Sequence, residues 1–147
     1  MPKPLAFHCR DEAETEAAGR AIAKELPADC VVHLAGDLGA GKTFLVRAIA
    51  SALGASREEI SSPTFALVHE YPIPDHHPII HIDGYRMSEN PREWMEIGIP
   101  ELLSSPGIKF IEWPKEGFAG FSPEAIEIRI GVNEDQSREI EVRPFRM

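Results

Sequence analysis

The sequence predicts an α/β fold: a mixed, mostly parallel sheet flanked by helices, with a C-terminal antiparallel hairpin. Three observations carry this. Short continuous apolar runs at 30–35 (CVVHLA), 79–83 (IIHID) and 108–113 (IKFIEW) have the length and the β-branched content of buried strands. Segments with helical spacing lie between them. Near the end the pattern changes: Ile126, Ile128, Ile130 and Val132 alternate with Glu127, Arg129 and Gly131, and beyond NEDQS, Ile140 and Val142 alternate with Glu141 and Arg143. That is the signature of a half-buried antiparallel hairpin. Buried strands first and alternating strands last describe a mixed sheet with helices on its faces.

In chain order, Asp11 followed by Glu14 has the spacing of a capping box and opens a helix. Ala13, Ala17, Ala18, Ala21, Ile22 and Leu26 keep helical spacing until Pro27. The first buried strand follows at 30–35. Residues 42–53 are helical, with Phe44, Leu45, Ala48, Ile49 and Ala52 on one side, and Gly54 is placed to end the helix in a left-handed cap. SSPTF at 61–65 has turn chemistry and leads into a strand, FALVHEY. PIPDHH reads as a turn before the strand at 79–83. Residues 91–103 read as a helix with Trp94, Met95, Ile97 and Leu102 available for packing, weakened by Gly98 and Pro100. The last buried strand is 108–113.

Composition narrows the function. The 147 residues suit one domain, 1–147, with no repeat and no linker. Lys and Arg number 15 against 24 Asp and Glu, a net charge of −9. Nucleic-acid affinity rests on neutralising phosphates, so this acidity argues against a protein that grips nucleic acid by itself. No apolar run approaches the ~20 residues of a membrane span, and the first residues lack the pattern of a signal peptide. Cys9 and Cys30 form no CxxC pair, and a reduced, cytoplasmic pair is the better reading.

Gly36-Asp37-Leu38-Gly39-Ala40-Gly41-Lys42-Thr43 fits G-x-x-x-x-G-K-[ST] at every fixed position. It sits between a predicted buried strand and a predicted helix, as the mechanism of a P-loop requires. The glycines let backbone N–H groups turn inward, and the helix N-terminus adds partial positive charge. Lys42 would reach the β- and γ-phosphates, and the Thr43 hydroxyl would bind Mg²⁺. The net charge does not oppose this. Distributed surface charge is screened beyond about 8 Å at physiological salt, while each loop donor touches the phosphates and contributes on the order of 1.5–3 kcal/mol.

Phosphoryl chemistry also needs an acid at the end of a neighbouring buried strand, to hold Mg²⁺ or orient water. Asp83 and Glu112 both stand at such ends, where open α/β sheets bind ligands; position alone does not choose between them. Thr64 is a loop hydroxyl suited to sensing a γ-phosphate. Trp113 is placed either to stack near a nucleotide or simply to pack. His69, His76, His77 and His81 lack a Cys or Glu that would complete a tetrahedral set, and read as loop and surface residues.

With these residues in hand, the chain resembles the TsaE (YjeE) ATPases of bacterial tRNA threonylcarbamoyladenosine synthesis. GDLGAGKT at 36–43, SPTF at 62–65, HIDGYR at 81–86, MEIGI at 95–99 and EWP at 112–114 appear in family order and spacing. Two positions depart from the family pattern: Phe44, where a second threonine is common, and Ala18, where a leucine often precedes Gly19. The resemblance implies a P-loop NTPase-like fold, weak ATPase activity, ATP/ADP and Mg²⁺ as cofactors, and action as an accessory to TsaD and TsaB. It implies contact with tRNA only through those partners. Carried over by position, Thr15 lies near the adenine. Gly36, Asp37, Leu38, Gly39, Ala40, Gly41, Lys42, Thr43 and Phe44 form the nucleotide site with Thr64 and Trp113. Thr43, Glu112 and Asp83 make the metal set, Lys42 and Glu112 the catalytic pair, and Glu112 orients water. Tyr85 and Arg86 face either the partner or the γ-phosphate.

Rival functions are less well supported. A small-molecule kinase would need an arginine-rich lid, and only Arg86 and Arg92 stand between Arg57 and Arg129. A GTPase switch would need D-x-x-G and N-K-x-D, and neither occurs. A binding module without turnover looks the same in sequence as a slow hydrolase.

Overall fold

The computed structural model describes residues 4–36, 41–56, 68–84, 90–112 and 125–143. Within them the elements run β1 (Leu5–Cys9), α1 (Glu12–Glu25), β2 (Cys30–Gly36), α2 (Lys42–Ala52), β3 (Val68–Ile73), β4 (His76–Asp83), α3 (Pro91–Glu96), α4 (Ile99–Leu103), β5 (Ile108–Glu112), β6 (Ile126–Val132) and β7 (Arg138–Arg143). The strands form one sheet in the order β1-β7-β6-β2-β5-β4-β3. Its centre, β6-β2-β5-β4, is parallel. β3 joins antiparallel at one edge, β7 and β1 at the other. This is the mixed α/β sheet read from the sequence, with the C-terminal hairpin in place.

Side chains alternate across a strand, so each strand feeds two cores. Ile79, Phe110, Val32, Leu34 and Ile128 meet Ile22, Leu45, Val46 and Ile49 of α1 and α2. On the other face Ile80, Ile82 and Ile111 meet Trp94, Ile99 and Leu103 of α3 and α4. By the same alternation His81, Asp83 and Glu112 share the α1/α2 face, the side on which α2 begins. Among the described residues, no helix is long and apolar enough to cross a membrane.

Several local expectations are corrected. The buried stripe of α1 is Thr15, Ala18, Gly19, Ile22 and Ala23, while Ala13 and Ala17 face outward. The stripe is set by packing against α2, where a Cβ on Gly19 would stand 2.7 Å from the Ala48 Cβ. Asp11 caps α1 by accepting from the Glu14 N–H at 2.9 Å. The Glu14 carboxylate, however, reaches back to the Arg10 N–H at 2.6 Å, one residue earlier than a capping box requires, because the Arg10 guanidinium also holds it. Gly98, at φ 85°, breaks residues 91–103 into two short helices and leaves Met95 and Ile97 exposed. PIPDHH is not all turn: β3 and β4 meet through Pro74-Asp75, and pairing resumes at His76. β1 was not foreseen; it is a five-residue edge strand held in place by its partner β7, at the far end of the chain. Cys9 is buried and Cys30 half-buried, both as free thiols.

Candidate functional site

The site begins where β2 leaves the sheet. Gly36 ends the strand at φ 145°, and a Cβ there would lie 2.4 Å from the Ile130 carbonyl oxygen, a position only glycine fits. Gly41, at φ 102°, is the N-cap of α2, and no side chain caps that end. The first turn of α2 carries no acidic residue. A helix start without a capping oxygen or a carboxylate is suited to an anion. Asp37, Leu38, Gly39 and Ala40 lie outside the described residues, as do Thr64, Tyr85, Arg86 and Trp113.

Lys42, the first residue of α2, points inward and is 5% exposed. Its Nζ donates to the Gly36 carbonyl at 2.8 Å and stands 3.3 Å from Glu112 Oε1. The other carboxylate oxygen, Oε2, is 2.9 Å from His81 Nε2. His81 and Glu112 are 3% and 6% exposed. Burial pushes the Glu112 carboxyl upward, but the His81 hydrogen bond and charge, followed by those of Lys42, outweigh it and hold the group below its ordinary range. A buried charge of this kind depends on its partners; removing one side of such a pair typically costs about 3–5 kcal/mol.

Two sequence-derived acids therefore meet. Asp83 and Glu112 are register partners at the ends of parallel β4 and β5; Asp83 is half-buried and Thr43 exposed. A hydroxyl and two carboxylates offer hard oxygen donors, and this set fits Mg²⁺ by its chemistry. Gly84 fixes the spacing behind them: a Cβ there would lie 1.9 Å from the Glu112 carbonyl oxygen and 2.7 Å from Trp94 Cη2.

Beside Gly41 lies a cavity of about 300 Å³ lined by Cys9, Asp11, Glu12, Thr15, Gly41, Phe44, Ile130, Gln136, Arg138 and Ile140. Thr15 and Phe44, far apart in sequence, share this wall with the end of the phosphate loop. A larger cavity of about 400 Å³ between α1 and α2 does not include Gly41; of the two, the smaller one is contiguous with the start of α2. Gln136 and Arg138 carry no signal in the sequence and reach the cavity only because the β6–β7 hairpin folds over it. His81 is not the loop or surface residue that the sequence predicts. His81 lies on the inward face of a central strand, and its place beside Glu112 depends on a parallel pairing between segments far apart in the chain. His69 is half-buried opposite it, ring centroids 5.7 Å apart, while His76 and His77 are exposed as expected.

Comparison with known proteins gives the family and the fold. Residues 9–140 match the family model described as threonylcarbamoyl adenosine biosynthesis protein TsaE. Proteins named tRNA threonylcarbamoyladenosine biosynthesis protein TsaE are similar along most of their length. The one from Streptomyces coelicolor is 34% identical over 84% of this chain and 86% of its own. That from Rickettsia bellii is 36% identical over 86% of each, and that from Haemophilus influenzae 39% identical over 76% of this chain and 68% of its own. The crystal structure of Bacillus subtilus YdiB superimposes with a TM-score of 0.74 at 28% identity, covering 99% of this chain and 88% of that one.

Proposed function

The chain belongs to the TsaE family, and from that premise we propose that it is an ATP-binding, slowly hydrolysing accessory protein for tRNA N6-threonylcarbamoyladenosine modification. It acts through nucleotide-dependent interaction with the TsaB–TsaD complex, which holds the tRNA. The observation that carries this reading is the buried Lys42–Glu112 pair at the junction of β2, α2 and β5. A cation and an acid are held together where a phosphate chain would enter. The protein works as one domain, 1–147, in the cytoplasm.

The residues divide the work as follows. The loop backbone from Gly36 to Gly41 and the start of α2 hold the β-phosphate. Lys42 leaves Glu112 and turns to the β- and γ-phosphates, gaining charge-assisted hydrogen bonds. Thr43, Asp83 and Glu112 would hold Mg²⁺, which when bound would supply neutralisation of charge on the phosphate oxygens. Glu112 accepts a hydrogen bond from the attacking water and aligns it with the γ-phosphorus; the P–O bond to ADP breaks and inorganic phosphate leaves. Thr15 and Phe44 border the base in the cavity beside Gly41. Thr64 senses the γ-phosphate, and Trp113 lies beside the nucleotide. For ATP and ADP to move the partner's equilibrium, the two nucleotide states must differ in affinity for it.

The test is phosphate release by the purified chain with and without the TsaB–TsaD pair, alongside a screen for phosphorylated metabolites. Partner-stimulated release of free phosphate is expected. Transfer of the γ-phosphoryl group to a small molecule would replace this reading with the kinase alternative.

A further inference from the structure

We propose that His81 is a positioning residue for hydrolysis: by donating to Oε2 of Glu112 it fixes the carboxylate plane so that Oε1 faces the phosphate loop. The proposal rests on the reading of Glu112 as the group that orients water.

The two oxygens of Glu112 have separate partners. Lys42 Nζ takes Oε1 at 3.3 Å and His81 Nε2 takes Oε2 at 2.9 Å. An ionised carboxylate only accepts hydrogen bonds, so Nε2 of His81 carries the hydrogen. When Lys42 turns to the phosphates, Oε1 is released for its task. The terminal torsion of a glutamate is broad and nearly free by itself, so a carboxylate without its lysine would swing. Among the described residues, His81 is the side chain that still holds it.

The backbone makes His81 fit for this. β4 and β5 are parallel, with His81 opposite Phe110 and Asp83 opposite Glu112. The histidine therefore stands two residues back from the acid's partner, on the same face, and reaches the carboxylate diagonally along the strand. The ring is 3% exposed, and its cross-strand neighbour His69 lies against it at 5.7 Å with planes tilted by 38°. A buried ring with a packed neighbour loses little by staying in place, which is what a positioning group needs.

His81→Gln and His81→Met test this as a pair: nearly equal in shape, they differ in whether an N–H can be donated to Oε2. Steady-state turnover is compared with that of the wild type and of Glu112→Gln, with melting curves and ADP affinity measured on each. The expected result is that Met lowers kcat by up to about a hundredfold, a loss that a misplacement near 1 Å can cause. The KM for ATP and the ADP affinity should stay within about twofold, and Gln should restore most of the rate. Equal rates in Met and Gln overturn the donor role, whether both are high or both are low. A fully active Glu112→Gln overturns instead the reading of Glu112 on which the proposal rests. A measurement on the unmutated protein needs no variant to fold. Long-range ¹H–¹⁵N correlation of the histidine rings should show hydrogen on Nε2 of His81, and a ring protonated at Nδ1 alone overturns the proposal.

Discussion

Adding one methyl group at Gly84 should push the two acids, Asp83 and Glu112, apart. A Cβ there would lie 1.9 Å from the Glu112 carbonyl oxygen, whereas ordinary contact begins at 3.4 Å, so β4 and β5 would have to part by about 1.5 Å at that point. The Trp94 ring, 2.7 Å from the same Cβ, is fully buried and cannot give way freely. Overpacking of this kind costs about 1–3 kcal/mol, and contact with backbone rather than a flexible side chain places Gly84→Ala near 3. For a chain of this size that lowers Tm by about 6–12 °C. Moving Glu112 by more than 1 Å should also lower turnover by about a hundredfold. Gly19→Ala is the control: its Cβ would meet the Ala48 methyl at 2.7 Å, so it should lose about 1–2 kcal/mol in the helix pair and keep its turnover. The assay is thermal melting with phosphate release at a temperature where all three proteins are folded. A Gly84→Ala protein with wild-type Tm and kcat would refute the strand-spacing argument. Equal loss of turnover in Gly19→Ala would show that activity follows stability alone.

Other outcomes can be stated briefly. Lys42→Ala should weaken ATP binding by about ten- to a hundredfold in calorimetry, from the loss of charged hydrogen bonds of about 1.5–3 kcal/mol; unchanged binding would remove the loop assignment. Glu112→Gln should lower turnover more than affinity, and an unaffected rate would move the water-orienting role to Asp83. Because partners hold the Glu112 carboxyl below its ordinary 4.5, its contribution to stability is complete above that range and is lost as pH falls through the lowered value. The acid limb of a denaturation–pH curve should therefore be flatter in Glu112→Gln. Burial raises the Cys9 thiol and pushes Cys30 up to about 11, so both should react slowly with a thiol reagent at pH 8 until the protein unfolds.

What the sequence made legible was local chemistry. The loop from Gly36 to Thr43 can be read because strand, glycines, lysine and helix are contiguous, and Asp83 and Glu112 because each ends an apolar run. The left-handed cap at Gly54, φ 111°, was readable for the same reason. What escaped was set by distant pairing. His81 reads as a loop or surface residue until β4 lies parallel to β5, and nothing marks Arg138 until the β6–β7 hairpin brings it to Gly41. The short strand Leu5–Cys9 alternates correctly, with Leu5, Phe7 and Cys9 turned inward, but five residues near a terminus are too few for periodicity to identify them. The burial of α1 followed its contact with α2 rather than the count of its alanines.

The cavity beside Gly41 is walled by residues 9–15 and 130–140, and β1 joins the sheet only by pairing with β7. During synthesis the first strand therefore waits for nearly the whole chain before it has a partner. Contacts so distant in sequence are costly to close and tend to form slowly. β2 pairs with β5 and β6 and so waits for residues 108–130, and the compartment beside Gly41 is closed later still, when β7 arrives to hold β1. Nucleotide entering that compartment would brace the seam between the two ends of the chain, so its presence should slow the opening of β1 more than that of the central strands.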